Sequence, residues 1–504
     1  MTTKTPELLS PAGSLSMLKT AFAFGSTAVY AGQPRYSLRV RNNDFGDLDV
    51  LRQGIEYAHA QRGKFYLVSN IFPQENKLKS YVANMSPVIA LKPDALIMSD
   101  PGLIMMAREA WPDMEIHLSV QANTVNSAAV KFWKSVGIAR VILSRELSLD
   151  QVAQIRQACP DTELEVFVHG ALCIAYSGRC LLSGYFNHRD ANQGSCTNSC
   201  RWDYKTLPGV VDATGDVMTQ AAAMGLPEPQ APAAQSMGSG GGCGTGCGCG
   251  PQASAGASAP MAMSGPHPSG VYLMEESQRP GSFMPVEEDE HGTYVMNSKD
   301  LRAIEHVQRL VEIGIDSLKI EGRTKSPYYV ARTAQAYRRA IDDAVAGRDL
   351  NPELLGQLEG LANRGYTSGF FQRHTPEATQ NYLRGYSESG RSQYVGDVLA
   401  FDPARGLAQV NVRNRFAVGD WLEVIHPNGN QDVRISCMEN ADAAPMPVAP
   451  GSGHVVWIDL PEASVGAFVA RYLQEPQDSQ GAEQGAADAS ASEAEGQAAQ
   501  PVAA

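Results

Sequence analysis

Apolar and polar positions follow a repeating unit through the first two hundred residues. Short runs rich in β-branched residues end in a small or polar residue, and a stretch with helical apolar spacing follows. The runs are ELLSPAG (7–13), TAVYAG (27–32), KFYLVSN (64–70), ALIMSD (95–100), EIHLSVQAN (115–123), RVILSREL (140–147) and LEVFVHG (164–170). Amphipathic helices are predicted between most of them, among them SLSMLKTAFAFG, GLIMMAREAWP, SAAVKFWKSVG and SLDQVAQIRQACP, each stopped by Gly or Pro. An eighth strand, SLKIEGR (317–323), comes after an interruption and leads into the long helical pattern SPYYVARTAQAYRRAIDDAVAG. Eight strands alternating with helices predict an α/β fold, a (β/α)8 TIM-like barrel. An open doubly wound sheet is the alternative, and the count of eight favours the barrel.

The pattern changes further along. Residues 1–350 are expected to form the barrel, with a Gly/Ala/Ser/Pro/Cys-rich mobile insertion at about 205–270 that is too poor in bulky apolar residues to order itself. Residues 351–390 read as a helical connector. Residues 391–474 hold alternating strands, QYVGDVLAFD, LAQVNVRN, WLEVIHP, VRISCMEN and HVVWIDLP, separated by turn residues, which predicts a small C-terminal all-β domain of barrel or sandwich type. Cys437 inside one of those strands reads as a buried small hydrophobe. Residues 475–504 read as a disordered acidic tail.

Composition narrows the class. The chain is 43% hydrophobic and 19% charged, with no apolar run of membrane-spanning length, so no membrane partner is expected. MTTKTPELLSPAG has no basic segment before an apolar core, so no signal peptide is expected, and a cytoplasmic location follows. In that compartment clustered cysteines bind metals more often than they form disulfides. The net charge of −13 argues against coating nucleic acid by bulk electrostatics. The last thirty residues account for six of those negative charges, so a local basic surface remains compatible with the sequence.

In a barrel of this kind the site forms at the carboxyl ends of the strands. Those ends carry Ser10, Pro11 and Gly13, Tyr30 and Gly32, Ser69 and Asn70, Asp100, Gln121 and Asn123, Arg145 and Glu146, His169, and Glu321, Gly322 and Arg323. Asp100, His169 and Glu321 are the candidate acid–base groups among them. The loop after the second strand adds Arg35, Tyr36, Arg39 and Arg41. Guanidinium forks pair with carboxylates or phosphates, and an adjacent aromatic can stack on a base. A second basic group, Arg323, Lys325 and Arg332, begins at the end of the eighth strand. Two basic groups at one mouth predict a small anionic ligand or RNA.

Four cysteines follow the seventh strand, Cys173, Cys180, Cys196 and Cys200, spaced C-x6-C-x15-C-x3-C. Four thiolates suit a structural zinc or an iron–sulfur cluster. Only the last pair has a short spacing, which favours the cluster; buried unliganded thiols are the bland alternative. Cys243, Cys247 and Cys249 in the insertion are rival ligands. A Cys173–His169 nucleophile pair would not need three companion thiols, and no G-x-S-x-G elbow is present.

The stretch EVFVHGALCIAYSGRCLLS resembles the signature of the U32 peptidases, the collagenase-like peptidases of unassigned catalytic type. The matching positions are Glu165, Phe167, Gly170, Ala171, Leu172, Cys173, Gly178, Cys180, Leu182 and Ser183. Likeness extends to ALIMSDPGLIM, HLSVQAN, VILSRELSL, NQGSCTNSCRW, EDEHGTYVMNSKDL and SLKIEGRTKSPYYVARTAQAYR. It is nearest to the branch that makes 5-hydroxyuridine at the tRNA wobble position, with prephenate as co-substrate and without oxygen. The resemblance implies tRNA as partner, a 4Fe-4S cluster on Cys173, Cys180, Cys196 and Cys200, and hydroxylase rather than peptidase chemistry. It further suggests that Arg35, Arg39, Arg41 and Arg323 meet RNA phosphate or prephenate carboxylates, and that Tyr36 stacks on the target base. Gln121, Asn123, Arg145 and Lys325 complete the expected substrate-binding set. A collagenase-like peptidase, metal- or cysteine-dependent, and a non-catalytic tRNA-binding accessory are the alternatives.

Overall fold

The computed structural model describes residues 4–32, 35–37, 43–171, 299–361, 363, 365–372 and 391–473. It also describes the backbone of the strands Ala175–Tyr176, Arg179–Cys180, Tyr204–Val211, Val217–Thr219, Val271–Glu276, Phe283–Asp289 and Gly292–Val295. Eight parallel strands form the barrel: β1 (Glu7–Pro11), β2 (Ala28–Gly32), β3 (Lys64–Ser69), β4 (Ala95–Met98), β5 (Ile116–Leu118), β6 (Arg140–Ile142), β7 (Glu163–Ala171) and β8 (Ser317–Ile320). Each pairs with the next, and β8 pairs with both β7 and β1, so the sheet closes. No barrel strand is left with an open edge, and the predicted count of eight is met by the predicted segments.

Eight helices follow the strands: α1 (Leu15–Ala23), α2 (Leu48–Ala60), α3 (Tyr81–Ile89), α4 (Pro101–Ala110), α5 (Ser127–Ser135), α6 (Leu149–Ala158), α7 (Val307–Ile313) and α8 (Pro327–Val345). Their starts are set locally. Ser14, Asn126 and Ser326 each accept a hydrogen bond from a backbone N–H of the first turn, and Ser148 with Gln151 forms a reciprocal capping box. The outer faces of the strands, such as Leu8, Val29, Leu96, Val141, Val166 and Leu318, are buried in one core with Leu18, Leu51, Ile55, Leu103, Val152 and Val330 of the helices. Among the described residues no helix is long and apolar enough to cross a membrane.

Between β7 and β8 the chain departs from the simple repeat. A strand Asp300–Arg302 runs antiparallel to the end of β7 and parallel to Tyr366–Thr367. Within the interruption, Tyr204–Val211, Val217–Thr219, Val271–Glu276, Phe283–Asp289 and Gly292–Val295 form a five-stranded antiparallel sheet, part of a compact unit of its own. The strands over 204–211 and 217–219 correct the expectation of a mobile insertion beginning at about 205. LPGVV and its partners alternate enough apolar residues to pair as strands, although the segment around them is poor in apolar groups. The low-complexity middle and the acidic tail lie outside the described residues.

Residues 391–473 form the expected all-β domain: a seven-stranded antiparallel sheet with a core of Val395, Val398, Val410, Phe416, Leu422, Ile435, Ile458 and Val469. The strand Phe468–Tyr472 was not anticipated. Cys437 is exposed rather than buried, because the chain leaves the strand Gln431–Arg434 before reaching it and Asp459 takes up its backbone N–H at 3.3 Å. The domain joins the barrel's compact unit through α1 and α8. Phe468 packs 6.0 Å from Phe24, ring centre to ring centre, and Tyr394 stacks on Tyr328 at 4.5 Å. The buried Arg332 guanidinium grips the Glu423 carboxylate with both ends of its fork. Arg332 therefore locks the two parts together and does not belong to the basic group expected at the mouth.

Candidate functional site at the barrel mouth

Barrels of this type usually fill their interior with layers of branched apolar side chains. Here one sector of the interior is ionic. At the floor, Glu7 accepts hydrogen bonds from Tyr66 (2.6 Å), Arg140 (2.6 Å) and Ser317 (3.0 Å). Arg140 also reaches Glu163 (2.9 Å) and Glu165 (3.2 Å). One layer higher, the Lys319 ammonium donates to Glu165 at 2.8 Å and stands 4.3 Å from the ring centre of Tyr30 and 5.4 Å from that of Phe167. Burial alone would raise the Glu165 carboxyl, but the charges of Lys319 and Arg140 outweigh it and hold the group below its ordinary range. Glu165 is thus an anion shared between two buried cations.

The column ends at the mouth. Tyr30 donates to the Glu321 carboxylate (3.2 Å) and to the Ile320 carbonyl (3.0 Å). Arg145 approaches the same carboxylate at 3.8 Å, while its guanidinium lies 3.8 Å from the ring centre of Phe167. Arg323 donates to Ser37 at 2.7 Å and stands 5.8 Å from the Tyr30 ring. Tyr30, Arg145 and the pair Glu321 and Arg323 come from three places far apart in the chain and meet at the mouth. A carboxylate that accepts a phenol hydroxyl hydrogen bond can exchange a proton, and the guanidinium groups of Arg145 and Arg323 at the same mouth can hold an anion.

Other expected site residues stand elsewhere. Tyr36 is fully buried, its ring set edge-on to Tyr81 with centres 5.0 Å apart and its hydroxyl accepting from Asn84 at 2.7 Å. It cannot stack on a target base, and that expectation is corrected. Asp100 is the N-cap of α4, accepting from the Leu103 N–H at 2.8 Å, so its carboxylate is committed to the helix. His169 follows a register shift opposite Lys319 and Ile320, which pairs it with Ile320. The ring enters a cage of Tyr329, Tyr337 and Tyr366, with centres 5.5–5.9 Å away. Burial, helped by the charges of Arg302 and Lys325, pushes its pKa down to about 3. A neutral, enclosed imidazole is a packing element, which removes His169 from the acid–base candidates.

Gln121 and Asn123 are half-buried in the turn that ends β5, with Asn123 in the left-handed region at φ 53°. Arg35 is exposed, and Lys325 rests 5.5 Å from the ring centre of Tyr329. Arg39, Arg41, Cys173, Cys196 and Cys200 lie outside the described residues, as do Cys243, Cys247 and Cys249; Cys180 is described in its backbone alone. Among the described residues no group of three or more His, Cys, Asp or Glu could hold a metal.

Lys319 and Glu165 did not enter the expected site, although a signal existed. ELEVF and SLKIE place charged residues at alternate positions of otherwise apolar strands, and ELLSP and RVILS each begin with one. Alternation points them to one face, and in a closed barrel that face is the interior.

The family model described as peptidase family U32 matches residues 13–381, and that of the U32 C-terminal domain matches residues 390–470. The tRNA hydroxylation protein P of Escherichia coli (strain K12) is 54% identical over 457 residues, covering 91% of this chain and 94% of that one. Its namesake in Haemophilus influenzae is 53% identical over the same shares. A 23S rRNA 5-hydroxycytidine synthase of Escherichia coli is 26% identical over 83% of this chain and 52% of its own length. The match runs through barrel and β-domain alike, and the protein belongs to peptidase family U32.

Proposed function

We propose that this protein hydroxylates uridine at the wobble position of tRNA. One observation carries the reading: 54% identity across 91% of the chain with a relative named for tRNA hydroxylation. The mouth supports it chemically. Arg145, Arg323 and Lys325 supply cations in an otherwise acidic chain, suited to RNA phosphate or to a dicarboxylate co-substrate such as prephenate. Glu321 is the acid–base group, held by Tyr30 and flanked by Arg145. A target base leaving its stack would enter this mouth, as enzymes that act on a base require.

The donor chemistry of Cys173, Cys180, Cys196 and Cys200 fits a 4Fe-4S cluster, since four thiolates are its usual ligands. Those residues would hold it, following directly on the strand that carries Glu165 and Phe167. When bound, the cluster would supply one-electron chemistry. The chain's own part is to bind the anions, orient the base and handle the proton at the Glu321 carboxylate.

Mass spectrometry of tRNA nucleosides from a strain lacking the protein tests the reading. Loss of 5-hydroxyuridine derivatives, restored by the intact gene and not by a Glu321→Gln version, is the expected result. Unchanged derivatives with no redundant enzyme present would refute it. Anaerobic purification should yield iron and sulfide that a Cys173→Ala change removes, whereas an iron-free protein that still hydroxylates tRNA would sink the cluster. Peptide cleavage that survives replacement of all four cysteines would instead favour the hydrolytic alternative.

A further inference from the structure

Beside the barrel mouth a cavity of about 440 Å³ lies where the first turn of α8 meets the β-domain. That is within the range of roughly 300–1,000 Å³ typical of small-ligand pockets. Its walls include Lys325, Tyr328 and Tyr329 from the barrel and Gln393, Tyr394 and Asn414 from the β-domain. None of the described lining residues is acidic, in a chain whose net charge is −13. Tyr328 and Tyr394 are held in a near-parallel stack with 10° between their planes, and the Tyr394 hydroxyl is fixed on Asp397. Tyr329 connects the cavity to the mouth: its hydroxyl donates to the Glu321 carbonyl at 2.8 Å. One tyrosine therefore forms a wall of the cavity and braces the strand end that carries Glu321.

We propose that this cavity receives a nucleotide of single-stranded RNA next to the one that enters the mouth. Tyr394, half-buried where Tyr328 and Tyr329 are buried, gives a base an aromatic surface at the wall, the carboxamides of Gln393 and Asn414 can read its edge, and Lys325 at the rim pairs with a phosphate. The lack of acidic groups among the described walls suits a polyanion. The rings are already fixed in place by their own contacts, so binding orders few side chains. Placed beside the mouth, such a subsite selects the sequence that flanks the target. The inference rests on the tRNA reading above and adds a second, separable contact to it.

Two variants test it. Gln393 Oε1 accepts from Arg471 at 3.2 Å, so Gln393→Glu keeps that partner while removing an amide donor and adding negative charge to the cavity. Lys325→Ala removes a cation shared by the mouth and the cavity, so Gln393→Glu is the variant specific to the cavity. Dissociation constants are measured with a labelled anticodon stem-loop bearing a wobble uridine, and cross-links are mapped from 4-thiouridine placed beside that position. Each variant is expected to bind about tenfold more weakly. Cross-links of the unaltered protein are expected on the peptides containing 325–329 or 391–394. Variants that bind as tightly as the unaltered protein, or cross-links found only elsewhere, overturn the subsite and leave the hydroxylation reading standing. An unaltered protein that binds no RNA overturns both.

Discussion

Lys319 sits where a barrel normally places a leucine or valine, with its ammonium on Glu165 and near the rings of Tyr30 and Phe167. A buried pair is costly to assemble and costlier to break, and without Lys319 the buried Glu165 keeps only Arg140, at 3.2 Å, as its cation. Lys319→Met should therefore destabilise the protein by about 3–5 kcal/mol. Adding Glu165→Gln should recover only part of that, since Arg140 then keeps Glu7 and Glu163 but loses Glu165, and denaturant midpoints of the two variants check it. His169 makes a pH prediction of the opposite kind. Its folded pKa of about 3 lies below the ordinary 6.5, so between those values the unfolded chain binds the extra proton. Stability is complete above pH 6.5 and falls as the pH drops toward 3, by up to about 1.4 kcal/mol per pH unit. His169→Phe should flatten that part of a stability–pH curve; an unchanged slope would contradict the cage. Both residues were visible in the sequence as polar letters at strand positions. Alternation in the sequence already turns Lys319 inward; what the sequence did not reveal was the register shift opposite His169.

At the level of elements, the junction of β7 and β8 controls the mouth. Gly170 has φ +104°, and a Cβ there would stand 2.5 Å from the Glu321 carbonyl oxygen. Gly170→Ala combines a disfavoured backbone with a collision on the strand that carries the proposed acid–base group. It should cut tRNA hydroxylation sharply while the far-ultraviolet circular dichroism stays native, and retained activity would argue against a strict requirement on that junction. The eight strands and most helices were legible because each has its own period, its own cap and its own stop. The short strand Asp300–Arg302 was not, since three residues carry no period and exist through pairing with β7. Tyr36 was misread for a related reason. A tyrosine between arginines reads as a binding loop, yet its environment is made by Tyr81 and Asn84, which lie in a helix two elements away.

For the molecule as a whole, composition spoke against RNA while the mouth speaks for an anion. A net charge is a sum over the surface, whereas recognition depends on the few cations that converge. Arg145 and Arg323 converge because β6 and β8 end at the same rim, a fact of closure that no local stretch contains. Closure has one further consequence. The long excursion after β7 leaves at Ala171 and returns at Asp300, and these two residues are partners in a strand pair. Further in, Tyr204–Pro208 pairs with Tyr272–Glu276, a second clasp on the same excursion. The entropy of joining its ends then grows only as the logarithm of its length, about 0.6 kcal/mol for each doubling. Deleting residues 226–260 changes that length by less than a factor of two between the outer partners. The barrel's unfolding midpoint should scarcely move, and a large loss of stability would mean that the segment makes contacts beyond its two clasps. Chain can thus be added or removed inside the clasps, as in a domain insertion, without disturbing the rim where the charges meet.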